Sequence, residues 1–252
     1  MLRRLGTRDS EASLQYGQGG ATLNHHAFVA AQPPRGTSRR LAERKGRLRF
    51  LRAYFRHRRH RLLSCLIESL PRPVRVLDVG GSPFFWETVQ AAGRCEVTIL
   101  NKEDYAEAEE RLTGEFTSHR VLVGDACRMD DVDDQSFDLV VCNSVLEHLG
   151  AWPEMTAAAQ ELARIGRHGW VQIPAIEFPI EPHLMLPVAH WFNRPLQRRL
   201  VETFQRMQPH NARELVDRIN LVSRKEMRLL FPQATVRSER FLLLPKSHLA
   251  IW

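Results

Sequence analysis

The stretch Val74-Arg75-Val76-Leu77-Asp78-Val79-Gly80-Gly81-Ser82-Pro83-Phe84-Phe85-Trp86 constrains this chain more than any other. Val74–Val79 reads as a buried strand ending in Asp78. Gly80–Gly81 reads as a turn, and Ser82–Pro83 as the opening of a helix. Two bare glycines let a backbone pass close to a ligand. Ser82 is expected to cap the helix, and Pro83 suits its first turn, where the missing N–H had no partner anyway. A strand–glycine–helix unit of this kind is the start of an α/β sheet with a ligand site at its rim.

The following residues repeat the alternation. The pattern predicts a helix from Pro83 to about Ala92, a strand at Glu96–Leu100 and an acidic helix at Glu103–Leu112. It continues with strands at Arg120–Val123 and Phe137–Cys142, a helix at Pro153–Ile165 and a strand at Trp170–Ile173 closed by Pro174. Strands alternating with helices argue for a parallel sheet covered on both faces. Residues 175–222 break the pattern with five prolines and are too long for a simple connection, so they read as a functional insertion. Ser223 is expected to cap a short helix through Leu230. Gln233–Glu239 and Phe241–Trp252 then read as a closing strand pair.

In such sheets ligands bind beyond the carboxyl ends of the strands, near the switch in strand order. At those ends stand Asp78, Gly80 and Gly81; Asn101, Glu103 and Asp104; Asp125 and Ala126; Asn143, Ser144, Glu147 and His148; and then Pro174. This set resembles the class I S-adenosylmethionine-dependent methyltransferases, in their type 11-like small-molecule branch. Val76–Gly81 resembles the first motif of that family. Asn101, 23 positions past Asp78, stands where the family usually has an acid for the ribose hydroxyls. Gly124-Asp125-Ala126 resembles the adenine-contacting turn, and Ser136–His148 resembles the stretch that ends in Glu-His. Glu181-Pro182-His183 and the segment Glu239–Ser247 are similar to a bacterial subgroup whose substrates are poorly defined.

The resemblance covers about residues 70–252. It implies a Rossmann-like, seven-stranded, mostly parallel sheet with helices on both faces and one antiparallel strand near the C-terminus. It implies S-adenosylmethionine held by Asp78, Gly80, Gly81, Asn101, Asp125, Ala126 and Asn143. The third glycine of a Gly-x-Gly-x-Gly loop is absent, which weakens a diphosphate site more than a phosphate-free one. Asn101 is neutral, so it grips a diol less strongly than a carboxylate would.

Methyl transfer asks mainly for alignment, and a base only where the acceptor must lose a proton early. His148 and His183 are the candidates to face the acceptor, with Glu181 and Glu147 as orienting partners. Plainer roles stand beside these. Gly80–Gly81 could be a turn without a ligand, Asp125 a turn residue, and His148 a structural histidine. Glu181 and His183 could be an ion pair anchoring the insertion. Asp138 is expected to pack or cap. A metal held by Glu181, His183 and His190 has no tight ligand spacing behind it, so no metal site is expected. Trp191 and Phe192 are expected to close an apolar core under the insertion.

The chain is organised as a tail at 1–38, a basic amphipathic helix at 39–70 and a catalytic domain at 71–252, with 175–222 covering the substrate. The tail is rich in Gly, Ser, Gln, Pro and Arg and reads as disordered. Residues 35–61 hold twelve Lys and Arg against one acid, a net +11 in a chain whose total is +7, so the remainder carries −4. The basicity therefore belongs to one segment. That segment is expected to pack on the domain with a solvated face, with contact to an anionic membrane through residues 39–61 as a second option. Nucleic acid ranks last, because few aromatics interleave the arginines.

The four cysteines are scattered, without a Cys-x-x-Cys, and read as buried free thiols of a reducing compartment. No apolar run is long enough to span a bilayer and no secretory signal is evident, which points to a cytoplasmic or membrane-peripheral protein. The expected reaction is methylation of a small-molecule, sugar-linked or lipid-linked acceptor. A non-catalytic scaffold of the same fold and a nucleotide-dependent reductase are the alternatives.

Overall fold

Strand β1 (Val74–Val79) lies between β2 (Cys95–Asn101) and β4 (Phe137–Asn143), parallel to both. β3 (His119–Val123) flanks β2, and β5 (Gly166–Pro174) flanks β4, again in parallel. β7 (Leu244–Ile251) runs antiparallel to β5 and to β6 (Thr235–Phe241), which gives the order β3-β2-β1-β4-β5-β7-β6. This is the Rossmann-like seven-stranded sheet, with one antiparallel strand. The order reverses between β1 and β4, so the crevice opens at the ends of those two strands.

The computed structural model describes residues 39–89, 93–102, 119–181, 183–184 and 186–252. The tail at 1–38, the acidic stretch Glu103–Leu112, Asp104 and Pro182 lie outside the described residues. The chain divides into two units, Met1–Arg49 and Phe50–Trp252. Helix α1 (Arg39–Glu68) crosses that division.

Both faces of the sheet are covered, as the alternation requires. On one face Leu77, Val79, Val140 and Cys142 pack against α3 (Trp152–Ile165) through Met155, Ala158, Ala159 and Leu162, and against α6 (Arg224–Leu230) through Met227 and Leu230. On the other, Val74, Val76, Leu139, Val141 and Trp170 pack against Leu63 and Ile67 of α1 and Trp86 of α2 (Pro83–Thr88). Leu63 and Ile67 are fully buried, and such burial contributes about 1.5–3 kcal/mol per side chain. Phe55, Leu63 and Ile67 share one helical stripe. The second half of α1 is thus bound to the sheet, as the sequence suggested.

Several expectations need correction. α2 stops at Thr88 rather than near Ala92, and Ser82 stands at its N-cap without a side-chain capping bond. Ser223 does cap α6, in a reciprocal box with Glu226. Only Cys95 and Cys142 are buried, and Cys65 is exposed; all four thiols are free. Asp138 packs as expected, accepting from the Arg75 backbone N–H and pairing with its guanidinium. The insertion folds into α4 (Arg194–Gln205) and α5 (Pro209–Asp217) around Leu184, Ala189, Val201, Ala212 and Val216. Trp191 and Phe192 are exposed, so they do not close that core. The Trp191 indole instead donates to the Ile176 carbonyl at 2.7 Å. Among the described residues no helix is long and apolar enough to cross a membrane.

Candidate active site

The diglycine turn is shaped first by its own neighbours. Gly80 has φ +70°, a left-handed backbone that favours glycine, and a Cβ there would meet the Val145 methyls at 2.6 Å. A Cβ on Gly81 would fall 1.8 Å from Asp78 Oδ2. The two glycines therefore let Asp78 fold beneath the turn and Val145 pack against it. Asp78 is fully buried. Its Oδ2 accepts a 2.7 Å bond from Trp86 Nε1, while Oδ1 has no partner among the described residues. Burial pushes the Asp78 carboxyl up to about 7, against the Trp86 bond, which lowers it.

The rest of this rim is polar and partly committed. Asn101 donates Nδ2 to the Gly81 carbonyl at 3.2 Å, so what it can offer a ribose is Oδ1. Asp125 is exposed, and its Oδ1 accepts the Cys127 N–H at 2.9 Å in the turn expected from its sequence. Ala126 is buried beside it. Asn143 is half-buried at the end of β4. These residues fit a phosphate-free, cationic nucleoside. The orphaned Asp78 oxygen is a buried acceptor that lacks a donor, and an ammonium group supplies one.

Past β4 the chain turns sharply at Ser144 (φ +57°) and forms a single 3-10 turn, Leu146–His148. Gln172 on β5 fixes that bend. Its carbonyl accepts the Ser144 N–H and its Oε1 accepts the Ser144 hydroxyl, at 2.9 and 2.8 Å. Glu147 points inward, fully buried, and neither oxygen has a hydrogen-bond partner among the described residues. Burial raises its carboxyl to about 7.

The insertion brings a second carboxylate to this corner. Buried Glu181 accepts the backbone N–H groups of His183 and Leu184 and lies 2.5 Å from His183 Nδ1. The rings of His148 and His183 meet edge to face with centroids 4.7 Å apart. The structure thus brings His148, His183 and Glu181 to one corner together with Glu147, the other carboxylate named from the sequence. It separates His190, whose Nε2 faces the Ile176 carbonyl. A cleft of about 300 Å³ is lined by Met155, Ile176, Leu184, His190 and Asn220 among others; the four corner residues are not part of its lining, and Leu184 and Asn220 connect it to them. Asn220 ties its wall to Glu147 by a backbone bond of 2.8 Å.

One contributor escaped the sequence reading. Arg59 of α1 reaches the sheet and donates to Gln172 Oε1 at 2.5 Å, with Glu239 Oε2 at 3.6 Å. Burial pulls its guanidinium below its ordinary value and Glu239 works the other way. Arg59 is one of twelve basic residues in its segment, yet it stands four positions from both Phe55 and Leu63. It therefore falls on the buried stripe, and that spacing was the available signal.

Residues 77–171 match the family described as a methyltransferase domain. Solved structures of the same architecture include a protein from Pyrococcus horikoshii OT3, at TM-score 0.51 and 16% identity over 78% of this chain and 89% of that one. A protein from Rhodobacter sphaeroides, described as a putative Zn-dependent alcohol dehydrogenase, gives 0.50 at 13% identity over 75% and 87%. The N-methyltransferase NodS from Bradyrhizobium japonicum WM9, in complex with S-adenosyl-L-homocysteine, gives 0.47 at 14% identity over 77% and 84%. At these identities the first two likenesses show a shared fold. No curated protein matches the chain significantly.

The matched stretch runs from β1 into β5 and contains the diglycine turn, Asn101, Asp125, Asn143 and His148. Over that stretch the chain is similar to a methyltransferase domain.

Proposed function

We propose that the chain methylates a hydroxyl of a small lipid- or sugar-linked acceptor seated at the corner of His148 and His183. The observation that carries this reading is the pairing of Glu181 with His183 beside His148, next to the cleft and one strand away from Asp78. S-adenosylmethionine supplies a methyl group already activated on a sulfonium. The protein's task is then to hold two reactants in line and exclude water, which can supply about 7–11 kcal/mol of barrier.

In this proposal Asp78, Gly80, Gly81, Asn101, Asp125, Ala126 and Asn143 hold the cofactor. Asp78 Oδ1 takes the ammonium, Asn101 Oδ1 a ribose hydroxyl, and Asp125 with the Ala126 N–H the adenine edge. Gly80 and Gly81 keep the turn low enough for that approach. Glu181 holds the His183 ring in one orientation, and His148 and His183 govern the acceptor's proton. Residues 175–222 cover the acceptor.

A surface feature favours a lipid-linked acceptor. The β6–β7 hairpin exposes Leu242 and Leu243 at its tip, 82% and 86% accessible. Phe241, which precedes them, meets Phe55 of α1 with ring centroids 6.3 Å apart. Near Phe55 on the same helix stand exposed Arg56, His57, Arg58 and Arg61. Leucines to insert, flanked by cations, suit an anionic bilayer surface. This extends the membrane contact expected of residues 39–61 to the hairpin.

The test is transfer of a tritiated methyl group from S-adenosylmethionine to a membrane-lipid extract and, separately, to a water-soluble metabolite fraction. Label in the organic phase, lost in His183→Ala while S-adenosylhomocysteine still binds, is the expected result. Label confined to the aqueous fraction would overturn the lipid assignment, and label in neither would overturn the reading.

A further inference from the structure

Three metal-ligating side chains meet where the turn after β4 touches the insertion. A Glu147 carboxylate oxygen and a ring nitrogen from each of His148 and His183 all lie within 4.8 Å of one another. Glu147 is 0% accessible, and both of its oxygens lack a hydrogen-bond partner among the described residues. An unsatisfied buried acceptor costs on the order of 1–3 kcal/mol, more when charged. The other buried carboxylates here all have donors: Asp78 takes Trp86, Glu181 takes two backbone N–H groups, and Glu239 takes Ser247. Among them Glu147 alone has neither oxygen in a hydrogen bond, and one of its oxygens stands within 4.8 Å of a ring nitrogen of each of the two imidazoles.

We propose that this corner is a metal site, in which Glu147, His148 and His183 bind one divalent transition-metal ion of the zinc type. The ligand set selects the ion. Imidazoles with one carboxylate suit zinc and its first-row neighbours, whereas magnesium and calcium prefer all-oxygen shells. Ligand atoms around a tetrahedral zinc stand about 3.4 Å apart, so the corner closes by roughly an ångström on binding. His148 is exposed and His183 sits in a loop, so both can make that movement.

The supporting shell is already in place. Glu181 faces His183 Nδ1 and is itself anchored by backbone N–H groups. A carboxylate on one ring nitrogen sets the other, here Nε2, toward a metal and strengthens it as a ligand. Three protein ligands leave a fourth position open, the pattern of catalytic rather than structural zinc. The functional consequence rests on the proposed docking of the acceptor at this corner. An acceptor hydroxyl entering the open position coordinates the ion and releases its proton to solvent, because the ion lowers its pKa. His148 and His183 would then act on that proton as ligands that set the acidity of the ion.

The site is tested by stripping the full-length protein with EDTA and titrating it with Zn²⁺ by calorimetry. A parallel titration with Co²⁺ is followed by visible absorption. The expected result is one ion per chain, with coloured cobalt protein. Glu147→Gln and His183→Ala should each weaken binding by about 100-fold or more, and Glu181→Gln by about 10–100-fold. His210→Ala, on the exposed face of α5, should leave it unchanged. Should Glu147→Gln fail to fold, His148→Ala, at an exposed position, carries the test.

S-adenosylhomocysteine binding is measured on every variant. No zinc uptake by wild type that binds S-adenosylhomocysteine overturns the metal site and leaves the methyl-transfer reading standing. Zinc uptake that survives all three ligand substitutions places the ion elsewhere and also overturns the site. Zinc uptake without S-adenosylhomocysteine binding supports the metal site and contradicts the methyl-transfer reading.

Discussion

The diglycine turn and the histidine corner stand at the ends of neighbouring strands, yet they are assembled in opposite ways. The heart of the turn is made by residues close in sequence, with Trp86 bonding Asp78, and Asn101 of β2 and Val145 after β4 close it from outside. It is nearly finished before a ligand arrives, with one orphaned oxygen. The corner is made by two distant segments, Leu146–His148 and the loop after Glu181, and it holds a whole carboxyl group without a donor. On the proposed reading the turn, whose groups largely satisfy one another, is the cofactor side, and the corner, with its unpaired carboxyl, is the acceptor side.

The largest expected effect is on the turn. Gly81→Arg forces the Asp78 carboxylate out from under the backbone, and the thermal shift produced by S-adenosylhomocysteine should vanish. A normal shift in that variant would mean the turn is not the cofactor side.

Next comes Asp78→Asn, where stability and binding should move in opposite directions. The Asp78 carboxyl titrates near 7 in the fold and near 3.8 when unfolded, so wild-type stability falls as pH rises from about 4 to about 7. The full difference is at most about 4 kcal/mol. Asn removes that slope and keeps an oxygen for the Trp86 bond. Its urea midpoint at pH 8 should therefore rise while affinity for S-adenosylhomocysteine drops. A lower midpoint at pH 8 would show that the carboxylate is stabilised by something other than the ligand.

Arg59→Met tests whether α1 belongs to the corner. It leaves Glu239 buried without its cation and loosens Gln172, and should cost about 3 kcal/mol in urea unfolding. Glu181→Gln is milder in global stability. It should speed hydrogen exchange at the amides of His183 and Leu184, and leave those of the diglycine turn untouched. Equal acceleration in both regions would erase the distinction drawn between them. The smallest effect is that of Leu243→Ser, within about 0.5 kcal/mol in stability. It should nonetheless reduce co-sedimentation with vesicles containing anionic phosphatidylglycerol, with little effect on neutral ones.

β1, β2 and β4 were legible because each is a short, mainly apolar run closed by a polar or glycine residue. Gly80 and Gly81 were legible as necessary glycines. The physical reason is only half the expected one, since the space they leave is filled by Asp78 and Val145 rather than kept wholly for a ligand. His148, His183 and Glu181 could be named individually, but their meeting depends on how the insertion folds back, which no local pattern encodes. Glu147 was read as a partner that orients a histidine, and in the structure neither of its oxygens has a hydrogen-bond partner among the described residues. Trp191 and Phe192 misled because aromatic residues in a proline-rich insertion read as core, whereas the core is supplied by the small and aliphatic residues of α4 and α5.

The most direct test of the cofactor assignment is a crystal structure of the protein with S-adenosylhomocysteine. The account predicts the adenosine between Asn101 and Asp125, with the amino group on Asp78 Oδ1. Density for the ligand anywhere else, with that oxygen still unpaired, would contradict it.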